Sequence, residues 1–407
     1  MTLDIAPLTM RSNCTPDNGG ATAGRPMKLC IISAALPPKL DGIGDYTALL
    51  STELSKSAEV LVLTGSPDSD PIPNVAVETV FFADDRRSIK RLIPRVISYQ
   101  PDWVILQYNP FSYGRWGLNL HLPEVMHAIK NQCPNVRIAL MVHEPFVPVL
   151  DLKHAVMTTW QRWQLFRLGQ CADIVTFSIE PWAKKFRSWF SGQTVECLAV
   201  GSNIPYIQTD RAAIRTELGI NDDATVLGFF GTAHNSRLLP WVREAAEAIV
   251  KSEGKPLILY VGPNADVMRD VLTGIPLLAT GPLPGSEVSR HFAAMDIHLS
   301  PFVDGISSRR GSFLTGLQHG LPTVGTYGYN TSPFLLAGNE RSYLLTDVHS
   351  LDKFKTMVCE LAQDAEKRER IGFEAQRLFD NEFSWNKIAM RLCLILHNYS
   401  QSKTGRI

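Results

Sequence analysis

From residue 27 onward the sequence alternates short, unbroken apolar runs with longer amphipathic ones, and it does so twice. The first series is KLCIISA (28–34), EVLVLT (59–64), DWVILQY (102–108), VRIALMV (136–142) and DIVTFS (173–178). Each run is strand-length and lacks the polar alternation of a half-wet strand, so it reads as a strand covered on both faces. The stretches between, such as 46–57 and 86–99, read as helices. A second series follows: TVLGFFG (225–231), PLILYVG (256–262), DIHLSPF (296–302) and PTVGT (322–326), with helical stretches at 239–252 and 285–295. Two rounds of strand and helix predict an α/β chain. It consists of two doubly wound, Rossmann-like domains facing across a cleft, rather than one long sheet.

The boundary falls in VGSNIPYIQTDR (200–211), which has Gly, Asn and Pro and no periodic apolar face. The expected domains are 27–205 and 206–383. The segment 384–407 is expected to form a helix packing back toward the N-terminal domain. Residues 1–26, rich in Thr, Pro, Gly and Asn, lack the apolar core of a secretory signal and read as a flexible tail.

Composition narrows the function classes. Lys+Arg 40 against Asp+Glu 40 gives no net charge, which argues against a nucleic-acid binder. The seven cysteines are scattered and form no CxxC pair, the pattern of reduced thiols in a cytoplasmic protein. No run reaches the ~18–20 apolar residues that span a bilayer. No histidine pair has the spacing of a helical metal site, so neither a metal nor another cofactor is expected.

In doubly wound sheets ligands bind beyond the carboxyl ends of strands, so the loops there carry the chemistry. In DGISSRRGSFLTGLQHGLPTVGT (304–326) a strand gives way to a loop and then a helix. Ser307 or Ser308 is the expected cap, which places Arg309 and Arg310 in the first turn. Cations there oppose the helix dipole by ~0.3–1 kcal/mol each. Gly311 weakens the turn further. An anion at the helix tip would reverse the balance, meeting free N–H groups and charge-assisted bonds while Gly311 lets it approach. The alternative is two solvated surface arginines. In FFGTAHNSRLLPW (229–241), Gly231, Thr232, His234 and Arg237 could form the other jaw of a diphosphate clamp. In ALPPKLDGIGDYT (35–47), Gly42 and Gly44 flank a turn into a helix beginning near Asp45 and Tyr46. This loop is either an ordinary βα turn or one that meets substrate across the cleft. His143 and Glu144 follow a strand directly and are expected to face the cleft. No GxGxxG, GxSxG or HExxH is present.

In their order, these segments resemble the GT-B fold glycosyltransferases and are most similar to glycosyltransferase family 4. The likeness covers about residues 27–400. It is carried by GIGDYT (42–47), the HE pair, VLGFFGT (226–232), PLILYVG, GPLPGSEVSRHFAAMDIHLSPF (281–302) and GLQHGLPTVGT (316–326). The resemblance implies a nucleotide-diphosphate-sugar donor held by the C-terminal domain and a carbohydrate or lipid-linked acceptor held by the N-terminal one. It also implies transfer with retention, in polysaccharide or glycoconjugate biosynthesis. No metal is expected, because Arg237, Arg309, Arg310 and the helix end would stabilise charge on the departing diphosphate. By position Arg237 matches the diphosphate-binding lysine and His143 a histidine at the donor sugar. Thr232 stands where an arginine is usual. Ser307 and Thr315 stand where the family has two glutamates eight apart. The ribose-binding carboxylate is thus absent at Thr315, with Asp304 just upstream as a partial substitute. On this reading Gly231, Thr232, His234, Asp304, Gly305, Ser307, Ser308, Gly311, Ser312 and Thr315 bind donor. Gly42, Gly44, Asp45, Tyr46 and Glu144 form the acceptor-side loop, and His143, Arg237, Arg309 and Arg310 are catalytic. Two alternatives stay open: a non-catalytic partner protein of this fold that binds nucleotide or glycan, and a sugar-nucleotide epimerase. TTWQRWQLFR (158–167) and PWAKKFRSWF (181–190) combine tryptophans with cations, as interfacial helices do. They read either as peripheral contact with the inner membrane face or as core tryptophans beside solvated lysines.

Overall fold

The computed structural model describes residues 25–82 and 85–404. The expected tail, apart from Arg25 and Pro26, lies outside the described residues, as does Cys14.

Two parallel sheets organise the chain. The first contains β1 (Met27–Ser33), β2 (Ala58–Thr64), β3 (Ala76–Thr79), β4 (Trp103–Tyr108), β5 (Arg137–Val142), β6 (Ile174–Phe177) and β7 (Thr194–Cys197), in the order β3-β2-β1-β4-β5-β6-β7. The second contains β8 (Thr225–Phe230), β9 (Pro256–Val261), β10 (Leu277–Ala279), β11 (Ile297–Ser300), β12 (Thr323–Tyr327) and β13 (Leu344–Asp347), in the order β10-β9-β8-β11-β12-β13. Strand order reverses between β1 and β4 and again between β8 and β11. Loops leaving such a pair of strands diverge to opposite faces and open a crevice between them. β4 is buried along its whole length and β1 along all but its first two residues, as the unbroken apolar runs require.

Between β7 and the helix Arg211–Glu217 the chain has no regular structure. The last described helix, Trp385–Thr404, returns to the first sheet. There Ile388, Ala389, Leu392 and Leu396 share a core with Leu29, Ile31, Tyr46 and Leu50. Gly201 passes under the Trp385 ring, where a Cβ would come within 2.8 Å, and the Trp385 indole donates to the Ser202 carbonyl at 2.8 Å.

Two helix starts differ from expectation. The helix placed near Asp45 begins at Gly42, because Asp41 caps it by accepting from the backbone N–H groups of Ile43 and Gly44. The helix expected to contain Arg309 and Arg310 begins at Gly311. Arg310 is the residue before it, with non-helical φ −87° and ψ 85°. Neither serine caps this helix. The Ser308 hydroxyl donates to the Ser178 carbonyl of the other lobe at 2.7 Å, and the Ser307 hydroxyl is buried without a partner.

Candidate active site

A cavity of about 440 Å³ lies between the carboxyl edges of the two sheets. One wall comes from the first sheet: Gly42, Ile43 and Tyr46 after β1, Asn109 after β4, His143 and Glu144 after β5, and Ser178 after β6. The other comes from the second sheet: Phe230 at the end of β8, Gly231 and Arg237 beyond it, and Arg309, Gly311, Ser312 and Thr315 beyond β11. An adjoining cavity of about 400 Å³ adds Thr232, His234, Ser236, Phe302 and Arg310.

The loops flanking the β8/β11 switch point bring three guanidiniums together. Arg237 and Arg310 lie 4.0 and 4.2 Å from the Phe302 ring centre. One Arg237 nitrogen, Nη2, donates to the Phe230 carbonyl at 2.9 Å and to the Ser312 hydroxyl at 2.8 Å, while buried Nη1 has no partner. Burial, then the charge of Arg310, pushes the Arg237 pKa down to about 9, still a cation at neutral pH. Burial and Arg309 likewise lower Arg310, against the pull of Asp304. Asp304 holds Arg310 at 2.5 Å and Asn330 at 2.7 Å. Arg309 spans the cleft: 3.7 Å from Asp304 on its own lobe, 3.8 Å from Glu144 on the other, and 4.8 Å from the Trp182 ring. Three cations thus meet two carboxylates, and buried nitrogens of all three arginines lack partners. A desolvated cation cluster of this kind is stabilised by an anion.

The tip of the helix Gly311–Gln318 opens here without a side-chain cap, leaving its first N–H groups toward the cleft. A Cβ built on Gly311 would meet nothing within 4 Å. At Gly231 φ is +100°, and a Cβ would come within 2.9 Å of Arg237 Nη2, so only glycine seats that guanidinium.

Across the cleft, His143 Nε2 pairs with Gln107 Oε1 at 2.7 Å, and its ring meets Tyr46 edge-on at 4.8 Å. Burial pushes its pKa down to about 4, so it is a neutral imidazole at pH 7.

Some sequence-predicted residues stand apart from both cavities. Gly44 packs against the backbone of Ala35, and Asp45 lies half-buried beside Asp41. Asp304 is 4 % exposed, behind the arginines, and is not free to meet a ribose. Gly305 has φ +84° and abuts Gly328, so its role is to turn the loop. Ser307 is buried with its hydroxyl unpaired, and Ser308 ties the loop to the other lobe. Thr315 lines the main cavity, but its hydroxyl is buried, paired with Ser202 at 2.9 Å and donating to the Gly311 carbonyl. Sequence reasoning missed Asn109 and Ser178, which the strand-end rule finds once applied to every strand. It also missed Gln107 and Phe302, whose parts depend on contacts distant in sequence. Among the described residues, no three His, Cys, Asp or Glu side chains gather to hold a metal.

No family model matches the chain. A curated relative from Corynebacterium glutamicum, a GDP-mannose-dependent monoacylated alpha-(1-6)-phosphatidylinositol monomannoside mannosyltransferase, is 25% identical over 271 residues. That match takes in 60% of this chain and 66% of the relative, just under two thirds of its length. Solved structures align over nearly the whole molecule. Sucrose-phosphate synthase from Thermosynechococcus elongatus has TM-score 0.70 and 13% identity, covering 92% of this chain and all of that one. Anabaena HepE, in complex with UDP and glucose, has TM-score 0.65 and 14% identity, covering 91% and 100%. WaaG, a glycosyltransferase involved in lipopolysaccharide biosynthesis, has TM-score 0.62 and 12% identity, covering 90% and 99%. With two parallel sheets facing across an arginine-lined cleft, and these likenesses over its length, the chain has the GT-B fold of glycosyltransferases.

Proposed function

We propose that the protein is a glycosyltransferase that takes a sugar from a nucleoside-diphosphate donor. The observation that carries this reading is the cluster of Arg237, Arg309 and Arg310, with unpartnered buried nitrogens beside an uncapped helix tip. Breaking the anomeric C–O bond builds negative charge on the departing diphosphate. Preoriented guanidiniums and helix N–H groups stabilise that charge where water is excluded. These groups do the work for which other sites use a metal, so turnover is expected to persist in EDTA. His143, neutral and fixed by Gln107, offers a hydrogen bond to the donor sugar. Transfer proceeds with retention, a donor phosphate oxygen assisting deprotonation of the acceptor. The acceptor, a glycan or lipid-linked saccharide, enters from the first-sheet side. The setting is polysaccharide or glycoconjugate biosynthesis in the cytoplasm, peripheral to the inner membrane face. The names of similar proteins, one GDP-mannose-dependent and others bound to UDP, make both bases the ones to test.

Calorimetric titration with UDP and GDP tests the cluster. Arg237→Gln, Arg309→Gln and Arg310→Gln are each expected to weaken binding about ten-fold or more, the scale of one charge-assisted hydrogen bond. Unchanged affinity in all three folded variants would refute the reading. A second reading, a nucleotide-binding partner without catalysis, is favoured by Thr315 standing where the resemblance to family 4 implies a carboxylate, its hydroxyl instead paired with Ser202. Slow hydrolysis of a nucleotide sugar by the wild type, lost in Arg237→Gln, separates the two.

A further inference from the structure

The helix Leu152–Cys171 has its polar and apolar residues on unexpected sides. Gln161 and Gln164 are fully buried and Thr158 nearly so, while Leu152 (82%), Trp163 (45%) and Phe166 (43%) face outward. The buried amides have a structural task. Gln161 accepts from the Val147 N–H at 2.9 Å and donates to the Trp116 carbonyl at 3.2 Å. Gln164 accepts from the Asn119 N–H at 2.8 Å. They pin two loops against the helix, and those loops carry more exposed apolar side chains: Trp116 and Leu120 on one, Val149 and Leu150 on the other. Trp116 is held at φ +61°, with its carbonyl also bonded by the Trp160 indole at 3.0 Å. Polar groups spent inside to present tryptophan, phenylalanine and leucine outside make a built surface, not scattered exposure.

Charge identifies the occupant. The 20-residue helix contains no Asp or Glu. Lys153 and Arg115 lie over the Trp116 ring at 5.7 and 5.8 Å. Arg162 lies over Trp189 at 5.4 Å, and Arg167 lines a groove with Leu120 and Trp163. Of the nearby carboxylates, Asp151 is bonded to His154 and Glu124 to His121. Aromatic and aliphatic groups interleaved with cations fit a headgroup layer of negative charge, where rings settle at the interface and cations meet phosphates. We propose that this face docks on an anionic lipid bilayer. The same two loops begin at Asn109 and at His143 and Glu144 in the cleft, so a lipid-borne group at this face lies beside the cavity wall. The proposal deepens the lipid-linked acceptor suggested above, but its test needs no turnover.

Flotation with vesicles of phosphatidylglycerol and phosphatidylcholine, against phosphatidylcholine alone, tests it. The wild type is expected to float with the anionic vesicles at low salt, less at high salt, and not with the neutral ones. The doubles Trp163→Ser/Phe166→Ser and Lys153→Gln/Arg167→Gln are each expected to reduce the bound fraction at least ten-fold, with unchanged melting temperature. UDP and GDP titrations run alongside separate loss of lipid contact from failure of the donor reading. Absence of flotation on anionic vesicles at low salt, or equal flotation on neutral ones, overturns the proposal. So does self-association by light scattering that the apolar double abolishes, because the face would then belong to a second copy of the chain.

Discussion

Arg237 shows how one residue can be legible in type and illegible in setting. Its place after a strand marks it as a cleft residue, but its partner Phe302 lies on another loop, and no local pattern joins them. Gly231 links the two levels. Gly231→Ala would push a methyl group toward Arg237 Nη2 and strain a positive φ. Nucleoside-diphosphate affinity by calorimetry is expected to fall at least ten-fold, with a stability loss of about 1–3 kcal/mol. His143 and His298 give a pH signature. Burial holds their pKa values near 4 and 3, below the ordinary 6.5, so the unfolded chain binds more protons in that window. Stability is then full above about pH 6.5 and declines as pH falls toward 4, by up to roughly 3 kcal/mol for His143. Melting temperatures against pH should fall less steeply for His143→Gln than for wild type between pH 6.5 and 4.

At the scale of elements, all nine strands named from sequence are present, and the four unread ones, β3, β7, β10 and β13, are the sheet edges. An edge strand of three or four residues, paired on one side only, has no need of a long apolar run, so the period signal fades there. The helix Leu152–Cys171 is legible only through the tryptophans and cations of 158–167, not through an apolar period, because its buried face is chosen for hydrogen bonds to neighbouring loops. The helix Gly311–Gln318 starts two or three residues later than expected, with Arg310, paired to Asp304, held outside it. Gly311→Ala separates fold from ligand there. With open space around the new methyl, stability is expected to be unchanged or up to ~1 kcal/mol higher. UDP or GDP binding should weaken several-fold, because the methyl group occupies the space over the helix tip. Equal affinity in the variant would place the anion elsewhere.

For the whole molecule, alternation of runs sufficed to read two α/β lobes, whereas which residues touch across the cleft depends on how the lobes meet, which no local period encodes. The helix Trp385–Thr404 completes the core of the first lobe with Ile388, Leu392 and Leu396, each worth about 1.5–3 kcal/mol, and the smaller Ala389. Removing residues 385–407 is expected to unfold that lobe, seen as loss of its cooperative transition in calorimetry, while the second lobe keeps its own. Arg309 has a mechanical corollary. Its two ion pairs, at 3.7 and 3.8 Å, sit near the limit of useful reach and are anchored on opposite lobes. Any widening of the gap stretches the link to Glu144 first and leaves the guanidinium to its own side. Hinge angle and the availability of that charge are therefore one coordinate, like a clasp that releases as the covers part.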